Sequence, residues 1–133
     1  MPAAKSPSQS LQLIRLSLMA GVLMFGAVTV IVHRQPSWKP EALPIALVYA
    51  LVAFTIVAVS VAAVLKGRVA RESDPERRAG LLIIGWAVGE GAGLLGAVIF
   101  YLTGQGEWYA LGLLAMASAF VLLPAGATSP TTA

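Results

Sequence analysis

Residues 79–104, AGLLIIGWAVGEGAGLLGAVIFYLTG, form an apolar stretch that contains a single charged residue, Glu90. A helix that crosses the hydrocarbon core of a bilayer needs about 20 consecutive, mainly apolar residues. The stretch meets that length, and its midpoint lies close to Glu90. It therefore predicts a membrane-spanning helix that carries one carboxyl group near the centre of the bilayer.

Three further apolar stretches predict membrane helices, which gives spans at about 11–33, 44–65, 79–103 and 107–123. The last is the shortest: its apolar run, 108–123, covers about 24 Å, against about 30 Å of hydrocarbon. A re-entrant or interfacial helix is the alternative for this segment. The sequence thus predicts an all-α integral membrane bundle of four transmembrane helices. Residues 11–124 form its single domain, with flexible cytoplasmic tails at 1–10 and 125–133.

Composition excludes an ordinary cytosolic enzyme. Of the 133 residues, 58% are hydrophobic and 11% are charged, and the mean hydropathy is +0.83. A soluble domain carries about 25% charged residues. The absence of cysteine excludes disulfides and thiolate metal sites, and the single histidine, His33, cannot build a metal site alone. We therefore expect no catalytic residues, no cofactor and no metal. The net charge of +3 is explained by basic residues flanking helices rather than by nucleic-acid binding.

Lysine and arginine are distributed unequally between the two ends of the predicted bundle. Because such residues are retained on the cytoplasmic side, the richer end should be cytoplasmic, and both termini belong to it. The predicted location is the cell (inner) membrane of a bacterium, in a multi-pass topology. The richer end has seven basic residues and the other has two: Lys5, Arg15, Lys66, Arg68, Arg71, Arg77 and Arg78 against Arg34 and Lys39.

Glu90 is the first candidate functional residue, because an ionisable side chain inside a membrane is costly. It is interpreted either as a proton or cation site or as a neutral carboxyl group that joins helices by hydrogen bonds. Thr55 and Ser118 lie at similar depths, and their hydroxyls can reach across a helix interface. Arg15 is expected to extend to the cytoplasmic surface. His33 is expected to act only as an interface anchor.

A band of small residues surrounds Glu90. Small residues spaced four apart let membrane helices approach closely. The band predicts close packing within the bundle or, alternatively, a dimerisation face, and Gly21 and Gly26 of the first span are possible complements. Its members with a predicted packing role are Gly85, Gly89, Gly93 and Gly96.

Residues 74–102 weakly resemble the second helix of rotary ATPase proteolipid (c) subunits. The shared features are a polar loop, Asp-Pro-Glu-Arg-Arg, and a following helix with a mid-membrane carboxylate among small residues. The resemblance implies that Glu90 corresponds to the ion-carrying carboxylate. The preceding span lacks the dense glycine repeat of that family. The whole chain is more similar to small four-span bacterial membrane proteins of unassigned function, and that similarity implies no activity.

These features favour a non-enzymatic accessory or structural subunit. The expected partners are the lipid bilayer and either further copies of the chain or other membrane subunits. The alternative is a proton- or cation-coupled transporter, or a proteolipid-like ion carrier, that uses Glu90.

Overall fold

Four α-helices make up most of the chain in the computed structural model, which describes residues 6–125. They are α1 (Pro7–His33), α2 (Ile45–Arg71), α3 (Pro75–Thr103) and α4 (Gly106–Leu122), and residues 6–125 contain no strand. The predicted all-α fold is confirmed. By length and composition α1, α2 and α3 can each cross a membrane, with mean hydropathies of 2.1, 2.6 and 1.8 over their apolar stretches.

The fourth helix is shorter than the other three. Its 17 residues cover about 26 Å, slightly less than the hydrocarbon core of about 30 Å. It runs antiparallel to α3, since Gly112 lies against Gly96, Ala119 against Gly89 and Leu123 against Gly85. This pairing continues along nearly the whole of α4, so the helix packs as a member of the bundle.

The helix ends differ from the apolar boundaries because capping residues and charged turns extend them. Ser6 accepts a hydrogen bond from the backbone N–H of Gln9, whose side chain bonds back to Ser6, so α1 begins at Pro7 within the segment expected to be an unordered tail. Likewise α2 continues six residues past Leu65, with basic side chains in its last turn. Residues 1–5 and 126–133 of the predicted tails lie outside the described residues.

The third helix is the centre of the bundle. It packs against each of the other three helices, and α2 also packs against α4. Half of the apolar stretch of α3 is buried within the chain, against 17% for α1 and for α2. The two outer helices therefore leave most of their apolar surface for lipid or for other membrane proteins.

The core at the predicted cytoplasmic end is built around Trp86, which is fully buried. Its indole ring meets Phe120 edge-on, with ring centroids 6.2 Å apart. Leu65, Leu82 and Leu123 belong to the same cluster. The cluster thus joins side chains of α2 and α3 with Phe120 and Leu123 at the end of α4.

The loop at the opposite end of the bundle is attached to the end of α3. The backbone N–H of Glu41 donates to the carbonyl of Leu102 across 2.8 Å. The ring of Trp38 covers Gly104, which ends α3 in a left-handed conformation with φ of 74°. A Cβ atom there would lie 2.9 Å from the Trp38 ring. Glycine is therefore required at this position both by φ and by space.

Candidate functional site

Glu90 lies at the middle of the central helix. It is the sixteenth of the 29 residues of α3, with Gly89 and Gly91 on either side. Gly89 faces α4, where a Cβ atom would come within 2.7 Å of the Ala119 Cβ, and Gly91 faces α2 through Phe54. With both neighbours turned towards other helices, the glutamate side chain is left on the third side of α3, towards α1.

The carboxyl group of Glu90 reaches the backbone of α1 at Gly21. A Cβ atom on Gly21 would lie 4.0 Å from Oε1 of Glu90, at ordinary contact distance. The side chain is half-buried and Gly21 is exposed, so the carboxyl group lies at the edge of the α1–α3 contact. Among residues 6–125 no hydrogen bond or ion pair involves it. The carboxyl group of Glu90 therefore lies at an open helix contact without a hydrogen-bond donor from residues 6–125.

Thr55 lies on a different side of the bundle. One turn before and after it on α2, Leu51 and Ala58 are both fully buried, and Ala58 clusters with Ala92 of α3 and Ala115 of α4. The threonine hydroxyl is buried and has no hydrogen-bond partner in the described part of the chain. Depth suggested that this hydroxyl could meet Glu90, but the two groups point to different helix interfaces.

Ser118 is engaged within its own helix. Its hydroxyl donates to the Leu114 carbonyl one turn earlier, at 2.8 Å. This arrangement satisfies a hydroxyl in an apolar setting without any partner on another helix. No hydrogen bond within residues 6–125 connects Glu90, Thr55 and Ser118, and Glu90 alone retains the features of a site.

The glycines around Glu90 are occupied by packing inside the chain. Gly85, Gly89, Gly93 and Gly96 are all buried. Any side chain on Gly96 would collide with the Trp108 carbonyl oxygen, and one on Gly85 with Leu123. Gly93 lies between Val22 of α1 and Met116 of α4. The small-residue band therefore serves the contacts of α3 with its own neighbours, and little of it remains as a face for a second copy.

Arg15 does not approach Glu90. Its guanidinium carbon lies 5.3 Å from the centre of the Phe120 ring, a distance at which a cation is attracted to an aromatic face. The same ring receives Trp86 edge-on. Sequence reasoning missed this arrangement because the only signal was a basic residue and an aromatic residue at the same end of the bundle.

His33 lies in an aromatic group at the other end of the bundle. Its Nε2 is 3.0 Å from the Tyr101 carbonyl oxygen, and its ring centroid is 4.0 Å from that of Trp38 and 5.0 Å from that of Phe100. The contacts join α1, the following loop and the end of α3. The sequence predicted His33 as an interface anchor, but its aromatic partners depend on how the helices pack.

Two other results bear on chemistry. Within the described residues, no group of three or more His, Cys, Asp or Glu side chains could hold a metal ion. No protein-family model matches the chain, and no curated protein or solved structure shows significant similarity to it. The resemblance of residues 74–102 to proteolipid subunits remains a prediction.

Proposed function

We propose that this chain is a non-enzymatic subunit of a membrane assembly, formed by further copies of itself or by other membrane proteins, and that Glu90 is its polar contact. The observation that carries the proposal is the Glu90 carboxyl group, which lies at the open α1–α3 seam without a hydrogen-bond partner in residues 6–125. A polar group left unsatisfied in hydrocarbon is costly by several kcal/mol. A donor from a neighbouring chain would remove that cost.

The exposed apolar surface supports the same proposal. In each of α1 and α2, 17% of the apolar stretch is buried within the chain, so most of the apolar surface of both helices is open to neighbours. Glu90 lies beside one of them, at Gly21 of α1. Because glycine has no side chain, the backbone of a partner helix can approach this point closely. A hydroxyl, amide or cationic donor on that partner would then reach the carboxyl group.

The proposed location is the cell inner membrane of a bacterium, with both termini in the cytoplasm. The unequal distribution of lysine and arginine supports this orientation. In this orientation the Trp86 cluster lies towards the cytoplasm, and the His33 group lies towards the opposite face.

The test is the mass of the particle extracted in a mild detergent, for wild type and for two Glu90 variants. Glu90→Gln keeps an acceptor and gains N–H donors, so it should retain the assembly. Glu90→Leu should lower the assembled fraction, because interhelical hydrogen bonds in membranes contribute about 0.6–2 kcal/mol. Glu107→Leu, at an exposed glutamate in the first turn of α4, is the matched control. A wild-type monomer without any co-purifying protein would overturn the proposal.

A second function, transport of a proton or cation by Glu90, is favoured by the same open position. The carboxyl group faces a glycine rather than a side chain, which leaves room for an ion or for a labelling reagent. Carbodiimides react with protonated carboxyl groups, so labelling at Glu90 that falls as pH rises would support this function. In reconstituted vesicles Glu90→Gln should then assemble normally but lose ion flux, because an amide does not titrate. Unchanged ion flux in that variant would refute transport by Glu90, and only the proposed subunit function would remain.

A further inference from the structure

A cavity of about 170 Å³ lies between α2, α3 and the end of α4. The cavity lies at the predicted cytoplasmic end of the bundle, where the basic residues are concentrated. Glu90 lies several turns away along α3. Small-molecule sites usually enclose roughly 300–1,000 Å³. This cavity is too small to enclose a whole metabolite. It suits one chemical group of a larger ligand, the rest of which stays in the bilayer. The lining residues that matter are Lys66, Ala70, Arg78, Leu82, Leu123 and Pro124.

The cavity combines two cationic side chains with an apolar wall. Lys66 near the end of α2 and Arg78 in the first turns of α3 supply the positive charge, and leucine and proline side chains supply most of the remainder. None of the lining residues, all within 6–125, is acidic. A site of this composition complements a ligand that is anionic at one end and apolar at the other.

The acidic residues of the adjacent loop are engaged with each other's backbone and with Arg77. Glu72 accepts from the N–H of Asp74, and Asp74 accepts from the N–H of Glu76. Asp74 also pairs with Arg77, at 3.6 Å. These contacts hold the loop carboxylates in the turn between α2 and α3, and no ion pair within residues 6–125 involves Lys66.

We propose that this cavity binds the phosphate group of an anionic phospholipid, with the adjoining part of the lipid on the wall formed by Leu82, Leu123 and Pro124. Basic pockets between transmembrane helices on the cytoplasmic side bind anionic lipid head groups. A free phosphate ion would leave the apolar wall without a partner. A soluble peptide would have to place backbone polar groups against that wall, at a cost in unsatisfied hydrogen bonds.

The experiment counts bound lipid by native mass spectrometry of the full chain in detergent. Phosphatidylglycerol and phosphatidylcholine with the same acyl chains are titrated separately, and inorganic phosphate is added as a competitor. We expect phosphatidylglycerol to bind at least about fivefold more tightly, since one lysine or arginine near the membrane surface contributes about that factor. Inorganic phosphate in excess should not displace it.

Three variants locate the site. Lys66→Gln should weaken phosphatidylglycerol binding about fivefold and leave phosphatidylcholine unchanged. Arg68→Gln removes the same charge from the same helix at a residue that does not line the cavity, and should bind as wild type does. Ala70→Trp fills the cavity from an exposed position and should abolish the preference for phosphatidylglycerol. If Ala70→Trp fails to fold, the comparison of Lys66→Gln with Arg68→Gln decides.

Four results would overturn the proposal. Equal affinity for the two lipids would remove the anionic requirement. An equal loss of phosphatidylglycerol binding in Arg68→Gln and Lys66→Gln would show that the lipid is attracted by the basic surface as a whole and not by this cavity. Displacement by inorganic phosphate would show a site for a free anion, and undiminished binding to a folded Ala70→Trp variant would place the lipid elsewhere.

Discussion

The indole Nε1 of Trp86 donates a hydrogen bond to the backbone carbonyl of Leu123, 2.8 Å away. Leu123 is the C-cap of α4, where carbonyl groups have no partner within the helix. The Leu123 side chain also fills the space beside Gly85. One leucine thus joins the end of α4 to α3 by its backbone and by its side chain.

Replacing Trp86 with phenylalanine should destabilise the bundle by about 1–3 kcal/mol, because a buried carbonyl loses its donor. The free energy of unfolding in mixed micelles, followed by circular dichroism, measures the effect. Trp108→Phe is the control: its indole also donates a hydrogen bond, but to the exposed side chain of Gln105 three residues earlier. We expect it to change stability by less than about 0.5 kcal/mol. Equal effects would contradict the special role of Trp86.

Gly112→Ala should destabilise the α3–α4 contact. The new Cβ atom would lie 2.6 Å from the Ala92 carbonyl oxygen and 3.1 Å from the Gly93 Cα, so the helices must separate, at a cost of about 1–3 kcal/mol. Gly80→Ala provides the contrast within α3, since within residues 6–125 no atom outside its own stretch of helix lies within 4 Å of the new methyl group. Removing backbone freedom there should stabilise the helix by about 0.5–1 kcal/mol. Thermal unfolding in detergent should shift in opposite directions for the two variants.

Tyr109→Phe should weaken the attachment of α1. The tyrosine hydroxyl of α4 donates to the Val22 carbonyl of α1 at 2.9 Å, and its ring occupies the space beside Gly26. Interhelical bonds of this kind contribute about 0.6–1.7 kcal/mol in membranes. Tyr49→Phe is the control, because Tyr49 is 72% exposed. Cleavage by protease at the α1–α2 loop should be faster in Tyr109→Phe alone, and no difference between the variants would refute this role.

Reporter fusions test the orientation of the bundle. Fusions at residues 38, 72, 105 and 133 should report outside, inside, outside and inside. The expected orientation follows from the basic residues, of which five lie in 66–78 and two lie near the N-terminus. A fusion at 133 that reports the outside would remove α4 as a complete span. That outcome would favour the interfacial alternative for the shortest helix.

The sequence was sufficient to predict the four helices because membrane insertion requires long apolar segments, and these are visible in the chain. Helix ends were less accessible. The start of α1 at Pro7 depends on reciprocal hydrogen bonds between Ser6 and Gln9, which a composition argument for residues 1–10 does not consider. Similarly, α2 extends to Arg71 because a charged segment outside the apolar region can remain helical.

The sequence selects Glu90, Thr55 and Ser118 as candidate site residues, but it does not show which helices their side chains face. The cost of a carboxyl group in hydrocarbon identified Glu90 from the sequence alone. Thr55 and Ser118 were selected because they lie at a similar depth in the membrane. Depth gives the position of a residue along the helix axis but not the direction of its side chain. The direction in which a side chain leaves its helix depends on which helices are neighbours, and that follows from packing at Gly89, Gly91 and Gly21. Spacing of small residues predicted a close-packed face without naming its partner.

The central position of α3 has a consequence for how the protein is made. The helices emerge from the ribosome in order, yet α1 and α2 are not packed against each other in the finished bundle. Until α3 enters the membrane, the first half of the chain has no native interface to form. Synthesis of α3 therefore creates two helix contacts at once, and the acid at its centre enters the bilayer at the same moment. Anything that delays this single insertion step leaves α1 and α2 without the contacts that α3 provides.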